Sequence, residues 1–253
     1  MPKISIISAC YNAEKSLQTC LDSVASQSFH DWEHIIIDGG SEDGSVELLT
    51  ANTSRNLRWT SEPDSGIAEA MNKGINMATG NWLLFLHSDD QLKSSDSLKQ
   101  ASRQLGGTVG IVAYRVELRS KSGRTSMIEN RGWCFKTHFK TTLGHQGAFI
   151  HKSLFEKLGY YDESFRITMD YEWFMRAFRQ NIPVSRHPEI LSIMSDGGLS
   201  SRKDWPSLSQ RFQEEKRVHR KYAASSWWSI LYAVYWGIYP TYRKLQHRLS
   251  NDS

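Results

Sequence analysis

The first hundred residues alternate between short apolar runs and segments whose apolar residues recur at helical spacing. The apolar runs predict strands at residues 3–9, 33–38, 57–62 and 83–86. Helical spacing predicts helices at residues 14–25, after Gly44 and after Ser65-Gly66, with Asn12 as a cap of the first helix. Strands that alternate with helices imply right-handed crossovers, so this half predicts an α/β fold with a parallel sheet.

The second half predicts a change from parallel units to antiparallel strands. A helix is predicted at 94–105, and a strand at 109–118 runs into a hairpin turn at 120–124. The other predicted elements are strands at 144–150 and 186–194, a short helix at 152–158 and an amphipathic helix at 167–176. We therefore expect a mixed, mainly parallel sheet that is flanked by helices.

Polar side chains follow three of the predicted strands, in the sequences Cys10-Tyr11-Asn12, Asp38-Gly39-Gly40 and Asp89-Asp90. In open α/β sheets, ligands bind in the crevice outside the carboxyl ends of the strands. Adjacent carboxylates repel each other unless a cation or hydrogen-bond donors compensate, and Mg²⁺ or Mn²⁺ would serve at Asp89 and Asp90. The alternative is that this pair only turns the chain and caps the next helix.

Composition and charge argue against several other classes of protein. The 253-residue chain is 39% hydrophobic and 23% charged, and its net charge of +4 fits an anionic ligand or membrane surface without requiring nucleic acid. Its three cysteines form no Cys-x-x-Cys pair, which argues against a zinc site and fits a reducing cytoplasm. The sequence from Met1 onward lacks a signal-peptide pattern.

Two phosphate-binding motifs are missing from the sequence. No Gly-x-Gly-x-x-Gly follows the first strand, which disfavours a dinucleotide-binding fold. Gly39 and Gly44 have the glycine spacing of a P-loop, but Ser45 stands where the lysine should be. Without such a cradle, a metal ion is the expected neutraliser of a bound phosphate.

The order of three sequence segments resembles the family 2 glycosyltransferases with the GT-A fold. The segments are ISIISACYNAE, HIIIDGGSEDGS and SEPDSGIAEAMNKGINMATGNWLLFLHSDD. The resemblance covers roughly residues 3–200 and is closest to bacterial enzymes that build surface polysaccharides and O-antigens. It implies a GT-A domain at 1–203, with a nucleotide-sugar half at 1–105 and an acceptor half at 106–203. Residues 204–253 would form a C-terminal helical extension.

The resemblance implies roles for residues that bind the donor. Asp38 would hydrogen-bond the base of the donor, and a plain turn aspartate is the alternative. Asp64 would bind the ribose or the sugar, or it would cap the helix that follows. Surface or structural roles are alternatives for several of the remaining matches. These matches are Ala9, Tyr11 and Glu14 at the nucleotide, Asn72 and Lys73 near the diphosphate, Asp89 at the ribose or sugar, and His145 near the sugar.

The resemblance also implies positions for a metal ion and a catalytic base. Asp90 would contact the metal, in a His-Ser-Asp-Asp sequence that is a mild variant of the family pattern. Asp170 matches the aspartate that acts as general base at the start of a helix, with Glu172 as a rival and an N-cap role as the alternative. Residues two apart on a helix point in different directions, so only one of these carboxylates should face the crevice. A Gly-Gly-x-Ser sequence at 197–200 matches a family loop near the diphosphate, and a plain surface turn is the alternative.

The C-terminal fifty residues have a different composition. Residues 205–223 carry many charges and predict a long exposed helix, whereas residues 223–242 have no charge and many Trp and Tyr. Because Trp and Tyr prefer the headgroup level and basic residues flank this stretch, we predict an interfacial helix on an anionic bilayer rather than a spanning helix. Packing against the body of the protein or a second subunit is the alternative. The basic and aromatic segment 131–142 predicts an acceptor loop, a membrane-facing patch or ordinary packing.

The resemblance thus implies an inverting, metal-dependent hexosyl- or N-acetylhexosaminyl-transferase. Its donor would be a nucleotide sugar, UDP-linked, and its cofactor Mg²⁺ or Mn²⁺. Its acceptor would be a hydroxyl of a glycan or lipid-linked oligosaccharide in surface polysaccharide biosynthesis. The enzyme would lie in the cytoplasm, on the inner face of the membrane, without a nucleic-acid partner. A nucleotidyltransferase, which would need a glycine-rich basic loop after the first strand, and a non-catalytic nucleotide-sugar-binding protein are the alternatives.

Overall fold

The computed structural model describes residues 3–120, 122–198, 201–202 and 204–251. The strands are β1 Ile4–Cys10, β2 Trp32–Asp38, β3 Leu57–Ser61, β4 Trp82–Phe85, β5 Gln91–Leu92, β6 Ile111–Arg119, β7 Thr125–Ile128, β8 Ala148–His151 and β9 Val184–Ser195. The helices are α1 Glu14–Ala25, α2 Ser45–Ala51, α3 Ile67–Met77, α4 Ser97–Ser102, α5 Ser153–Leu158, α6 Met169–Arg179, α7 Trp205–Lys221 and α8 Ser226–Asn251. Two single 3₁₀ turns span Phe135–His138 and His145–Gly147.

All described strands join one sheet in the order β3-β2-β1-β4-β8-β6-β9-β5, and β7 pairs with β6. The first four strands in this order are parallel, β8 is antiparallel to both of its neighbours, and β6 pairs with β9 in parallel. The predicted mixed, mainly parallel sheet flanked by helices is confirmed. Since β1 lies between β2 and β4, the ends of these three strands meet at one edge of the sheet.

The sheet is covered on both faces because its strands are apolar at successive positions. Ile7 and Phe85 pack against α3, α5 and α6, while Ile6 and Leu84 face α1 and α4. Gly74 of α3 allows a close approach between this helix and the sheet, because a Cβ atom there would lie 2.3 Å from Ile7 Cγ2. Fully buried side chains on both faces fix the sheet, and thereby the positions of the strand ends.

Three predicted local features differ from the structure. Asn12 does not cap α1, because its φ of 48° directs Oδ1 to Glu42 N instead, at 2.9 Å. The helix predicted at 94–105 is limited to Ser97–Ser102, and the two-residue strand β5 before it was not predicted. The strand predicted at 144–150 begins only at Ala148, because Gly147 N bonds back to Gly144 O at 3.1 Å and closes a turn.

The last two helices form an antiparallel pair, which we call the C-terminal hairpin. Ring contacts between Phe212 and Tyr239 (5.3 Å) and between His219 and Tyr232 (4.4 Å) show the opposite directions of α7 and α8. The helix predicted at 205–223 is present as α7, but its predicted exposure is wrong, because one face of α7 is buried against α6 and α8. None of the described helices is both long and apolar enough to cross a bilayer.

Candidate active site

The crevice begins where β1 and β2 end side by side. Cys10 and Asp38 are register partners at the last positions of these strands. The Asp38 carboxylate is fully buried, and its Oδ2 atom accepts hydrogen bonds from Ser41 N at 2.9 Å and Ser61 Oγ at 2.7 Å. Burial raises the pKa of Asp38, but these hydrogen bonds outweigh burial and hold the pKa below its usual value. Asp38 therefore organises the loop after β2, and its contact with a donor base stays a prediction.

Three other residues that were matched to donor binding surround this loop. Tyr11 is 64% exposed just beyond the end of β1. Glu14 lies against Gly44, where a Cβ atom would come within 2.7 Å of Glu14 Oε1. Asp64 lies against Gly39, where a Cβ atom would come within 2.8 Å of Asp64 Oδ2, and burial raises the pKa of Asp64. The two glycines thus let the loop pass directly against both carboxylates.

Asn72 is buried and hydrogen-bonds to the loop at residues 161–163. Its side-chain amide donates to Tyr161 O at 3.0 Å and Glu163 Oε1 at 2.8 Å, and accepts from Tyr161 N at 3.0 Å. Both amide hydrogens and the carbonyl oxygen are used to hold the 161–163 loop on α3. These bonds give the buried Asn72 side chain a packing role, and its role near the diphosphate stays a prediction.

Lys73 forms two ion pairs in the structure. Its Nζ atom lies 2.8 Å from Glu69 Oε1 and 2.9 Å from Glu62 Oε1. The hydrogen bonds to Glu69 and Glu62 raise the pKa of Lys73 to about 12, so the side chain is a cation at neutral pH. Contact with a diphosphate would require Lys73 to leave these partners, and this role stays a prediction.

The aspartate pair follows β4, beside the end of β1. Ser88 N donates to Ala9 O at 3.2 Å, which extends the contact between these strands up to the pair. Asp90 is 3% exposed, and its Oδ2 atom accepts from His87 N at 3.2 Å. Burial raises the pKa of both Asp89 and Asp90, and the charge of Asp89 raises that of Asp90 further. A cation held by this pair would favour the charged forms of both carboxylates.

The donor set at this position suits a hard divalent cation. No three His, Cys, Asp or Glu side chains within the described part of the chain are grouped into a complete metal site. Mg²⁺ and Mn²⁺ accept oxygen ligands, and Mg²⁺ in particular is bound through one or two carboxylates and completed by substrate phosphates. Asp89 and Asp90 do not cap the next helix, which was the alternative role for this pair, because α4 begins after Asp96. Asp90 is buried and Asp89 is half-buried, and two such adjacent carboxylates with raised pKa values are the observation that fits such an ion.

The Gly-Gly-x-Ser segment reaches the aspartate pair. A Cβ atom at Gly198 would lie 3.7 Å from Asp89 Oδ2, so the backbone passes close to this carboxylate. Leu199 and Ser200 of the predicted loop lie outside the described residues.

The other half of the crevice is built by the turn before β8 and the first turn of α6. Asp170 Oδ2 lies 3.2 Å from His145 Nδ1, and Asp170 Oδ1 accepts from Tyr171 N at 2.7 Å. The His145 ring contacts the His87 ring edge-on, with centroids 4.9 Å apart, and its Nε2 atom has no hydrogen-bond partner among the described residues. His145 also favours the charged forms of the aspartate pair, although burial has the larger effect on their pKa values. His145 therefore lies between the aspartate pair and Asp170.

Glu172, the rival of Asp170, faces the opposite side of α6. Its side chain is fully buried and lies 2.8 Å from Arg176 Nη2 and 2.9 Å from Lys221 Nζ. Tyr222 Oη also donates to Glu172 Oε1. These contacts tie α6 to the end of α7 and leave Glu172 without access to the crevice.

Sequence reasoning did not assign His87, although this residue stands two positions before the aspartate pair. The ring contact with His145 could not be foreseen, since the two histidines are far apart in the chain. The first half of the chain thus supplies Tyr11, Glu14, Asp38, Asp64, Asp89 and Asp90, and the second half supplies His145 and Asp170.

The fold is that of the GT-A glycosyltransferases, as the family resemblance implied. The chain belongs to glycosyl transferase family 2, whose sequence profile matches residues 5–181. A glycosyltransferase of PGL/p-HBAD biosynthesis from Mycobacterium bovis is 33% identical over 210 residues, which cover 79% of this chain and 80% of that protein. An uncharacterized glycosyltransferase of Mycobacterium tuberculosis is 31% identical over 225 residues, which cover 87% and 86% of the two chains.

Two solved structures share the fold at low sequence identity. Staphylococcus aureus TarS in complex with UDP-GlcNAc superposes with a TM-score of 0.69 at 18% identity, over 87% of this chain and 65% of that chain. This chain therefore spans slightly less than two thirds of that structure. The mannosyltransferase PcManGT from Pyrobaculum calidifontis, in complex with GDP-Man and Mn²⁺, gives a TM-score of 0.68 at 17% identity, over 98% of this chain and 73% of that chain.

Proposed function

We propose that the protein is an inverting, metal-dependent glycosyltransferase in which Asp170 is the general base. The Asp170 carboxylate takes the proton of an acceptor hydroxyl, and the oxygen attacks the anomeric carbon of the donor sugar. The bond between that carbon and the diphosphate oxygen breaks in line with the attack, and the nucleoside diphosphate leaves. One displacement of this kind inverts the anomeric configuration.

The observation that carries the proposal is the position of His145 between Asp170 and the aspartate pair. It places a carboxylate that can take a proton and carboxylates that suit a cation in one crevice. A Mg²⁺ or Mn²⁺ ion held by Asp90 would neutralise the charge that develops on the leaving diphosphate. His145 Nε2 is buried and has no partner within the described residues, and we assign it to the donor sugar, which would have to reach this atom.

The donor end is assigned to the loops after β1 and β2. Tyr11, Glu14, Asp64 and the loop organised by Asp38 would hold the nucleoside, with Asp89 at the ribose or sugar. Binding of UDP-GlcNAc by TarS and of GDP-Man with Mn²⁺ by PcManGT supports a nucleotide sugar as donor. We assign a UDP-sugar as donor and a hydroxyl of a glycan or lipid-linked oligosaccharide in surface polysaccharide biosynthesis as acceptor.

A panel of nucleotide sugars tests this function. Purified protein, Mn²⁺ and each donor are incubated with candidate glycan and lipid-linked acceptors, and released nucleoside diphosphate is measured. Release with one donor, dependent on an acceptor, is expected. Tight donor binding without release or transfer would favour a non-catalytic binding protein, and formation of a nucleotide sugar from a nucleoside triphosphate would favour a nucleotidyltransferase.

The C-terminal hairpin supports a position at the inner face of the cytoplasmic membrane. The inward face of α8 packs on α7, but its outward face carries large apolar side chains at intervals of three or four residues. These side chains are 52–68% exposed and comprise Trp227, Ile230, Val234, Ile238, Tyr242 and Leu245. Residues 205–251 contain eight Lys or Arg and two Glu, whereas the rest of the chain contains 23 Lys or Arg and 25 Asp or Glu. An apolar stripe within the basic part of the chain suits an anionic bilayer.

Replacing Ile230 and Ile238 with Ser is expected to weaken binding to vesicles that contain phosphatidylglycerol by at least about 10-fold. Each isoleucine contributes roughly 1.5–3 kcal/mol when fully buried, and partial insertion at two sites suffices for this loss. Vesicle sedimentation measures the effect. Met127→Ser, which removes a 44% exposed apolar side chain on β7, is the matched control and should bind as the wild type does. Equal binding of all three proteins, or dimerisation through α8 without vesicle binding, would contradict the membrane assignment.

A further inference from the structure

A carboxylate of the C-terminal hairpin reaches the segment that leads into α6. Glu214 of α7 is 5% exposed, and its Oε1 atom accepts from Arg166 N at 3.1 Å. Its Oε2 atom accepts from Ile167 N and from Thr168 N, both at 2.9 Å, and from Thr168 Oγ at 3.2 Å. Three successive backbone N–H groups that converge on one carboxylate form a tight anion-binding arrangement. Glu214 thus fixes the backbone up to Thr168, the residue that precedes α6.

The same hairpin also holds the residue that follows Asp170. Tyr171 Oη donates to Thr137 O at 3.1 Å and lies 3.0 Å from His219 Nε2, and Trp236 Nε1 donates to His219 Nδ1 at 2.9 Å. Burial lowers the pKa of His219 to about 4, so the ring is neutral at pH 7. Because Trp236 can only donate, the proton of the neutral ring is on Nε2 and is donated to Tyr171. A continuous chain of hydrogen bonds therefore runs from α8 through α7 to α6.

Asp170 lies between these two anchored points. Thr168 is held by Glu214 on one side, and Tyr171 is held by His219 on the other. The direction of the Asp170 carboxylate follows from the backbone of this first helical turn, since its hydrogen-bond partners among the described residues are Tyr171 N and His145. A displacement of about 1 Å between reacting groups can cost about 100-fold in rate.

We infer that Glu214 is a positioning residue for Asp170, and that the C-terminal hairpin thereby completes the active site. The inference rests on the proposed role of Asp170 as base. Glu214 lies outside residues 5–181, which match the family profile, so its role belongs to the extension of this chain. It does not touch the crevice itself and acts through the backbone of residues 166–168.

A double-mutant cycle tests this inference. Glu214→Ala is expected to lower kcat about 10- to 100-fold, with the KM for the donor and the affinity for the nucleoside diphosphate unchanged. In an Asp170→Asn background the same substitution should cost almost nothing, because the group that it positions is already inactive. Glu214→Gln keeps one carbonyl oxygen, so an intermediate loss is expected, and this milder variant serves if Glu214→Ala does not fold.

Hydrogen exchange gives a readout that does not depend on activity. Both Glu214 variants should exchange the amides of 166–168 faster than the wild type, whereas Gln213→Ala, an exposed neighbour on α7, should leave exchange and kcat unchanged. The inference is overturned if Glu214→Ala or Glu214→Gln lowers kcat by the same factor in the wild-type and in the Asp170→Asn background. It is also overturned if these variants lower kcat and the affinity for the donor together. If Asp170→Asn retains its rate, the proposed function itself fails; if Asp170→Asn is inactive and the Glu214 variants keep the wild-type rate, only this inference fails.

Discussion

Replacing Asp170 with Asn lowers turnover by about 10²–10⁴-fold in our expectation, the range that a general base contributes. Asparagine has nearly the same shape and its side-chain oxygen still accepts from Tyr171 N, so the first turn of α6 should be preserved. The variant cannot take a proton from the acceptor. Turnover is measured at saturating donor and acceptor, and the dissociation constant of the nucleoside diphosphate should match that of the wild type.

Glu172→Gln is the matched comparison for this prediction, because it removes a carboxylate from the same helix. Glu172 is fully buried beside Arg176 and Lys221, so its neutralisation should cost stability, on the order of 3 kcal/mol for a broken buried ion pair. The rate per folded molecule should stay close to that of the wild type. The opposite pattern, with an active Asp170→Asn and a stable but inactive Glu172→Gln, would exchange the roles of the two residues.

Replacing Asp90 with Asn is expected to lower turnover at least about 100-fold and to abolish the response to Mn²⁺. Removing a residue that hydrogen-bonds to a metal ligand already lowers metal affinity or activity roughly 10–100-fold. Removing a residue that itself binds the metal should lower activity by more. Activity and thermal unfolding are measured across a Mn²⁺ titration. The wild type should be stabilised by the ion because the ion relieves the repulsion between the adjacent carboxylates of Asp89 and Asp90, and the variant should gain little.

The pH dependence of metal binding and removal of the metal provide two checks on Asp90. Because burial and Asp89 raise the pKa of Asp90, protons compete with the cation, and the apparent affinity for Mn²⁺ should fall on acidification. Exhaustive treatment with EDTA should abolish transfer, and readdition of Mn²⁺ or Mg²⁺ should restore it. Full activity after chelation would remove the ion from the mechanism.

The parallel half of the sheet could be predicted because its signals are local. Each strand is an apolar run that ends at a polar residue, and the alternation with helices fixes how the strands lie together. The positions of Asp38 and Asp90 beside the end of β1 follow from that arrangement. The presence of Asp170 in the first turn of a helix could be foreseen from the spacing of Trp173 and Ala177.

The roles that depend on distant partners could not be foreseen. Asn72 lies in a helix with the expected family sequence, but its partners Tyr161 and Glu163 are about ninety residues away. Glu214 is one charge in a segment rich in charged residues, where pattern alone indicates solvent exposure. Its burial arises because the backbone before α6 offers three N–H groups, and no local pattern records such a contact.

The buried joint between α6 and α7 limits how this enzyme can be recombined with its relatives. Glu172 of α6 bonds to Lys221 and Tyr222, and Glu214 of α7 bonds to the backbone before α6. Each helix therefore supplies a buried carboxylate whose partners lie on or beside the other helix. A chimera that exchanges only the C-terminal tail would leave buried carboxylates facing foreign partners. Substrate-switching hybrids of this chain should therefore take α6 and the whole C-terminal hairpin from the same parent.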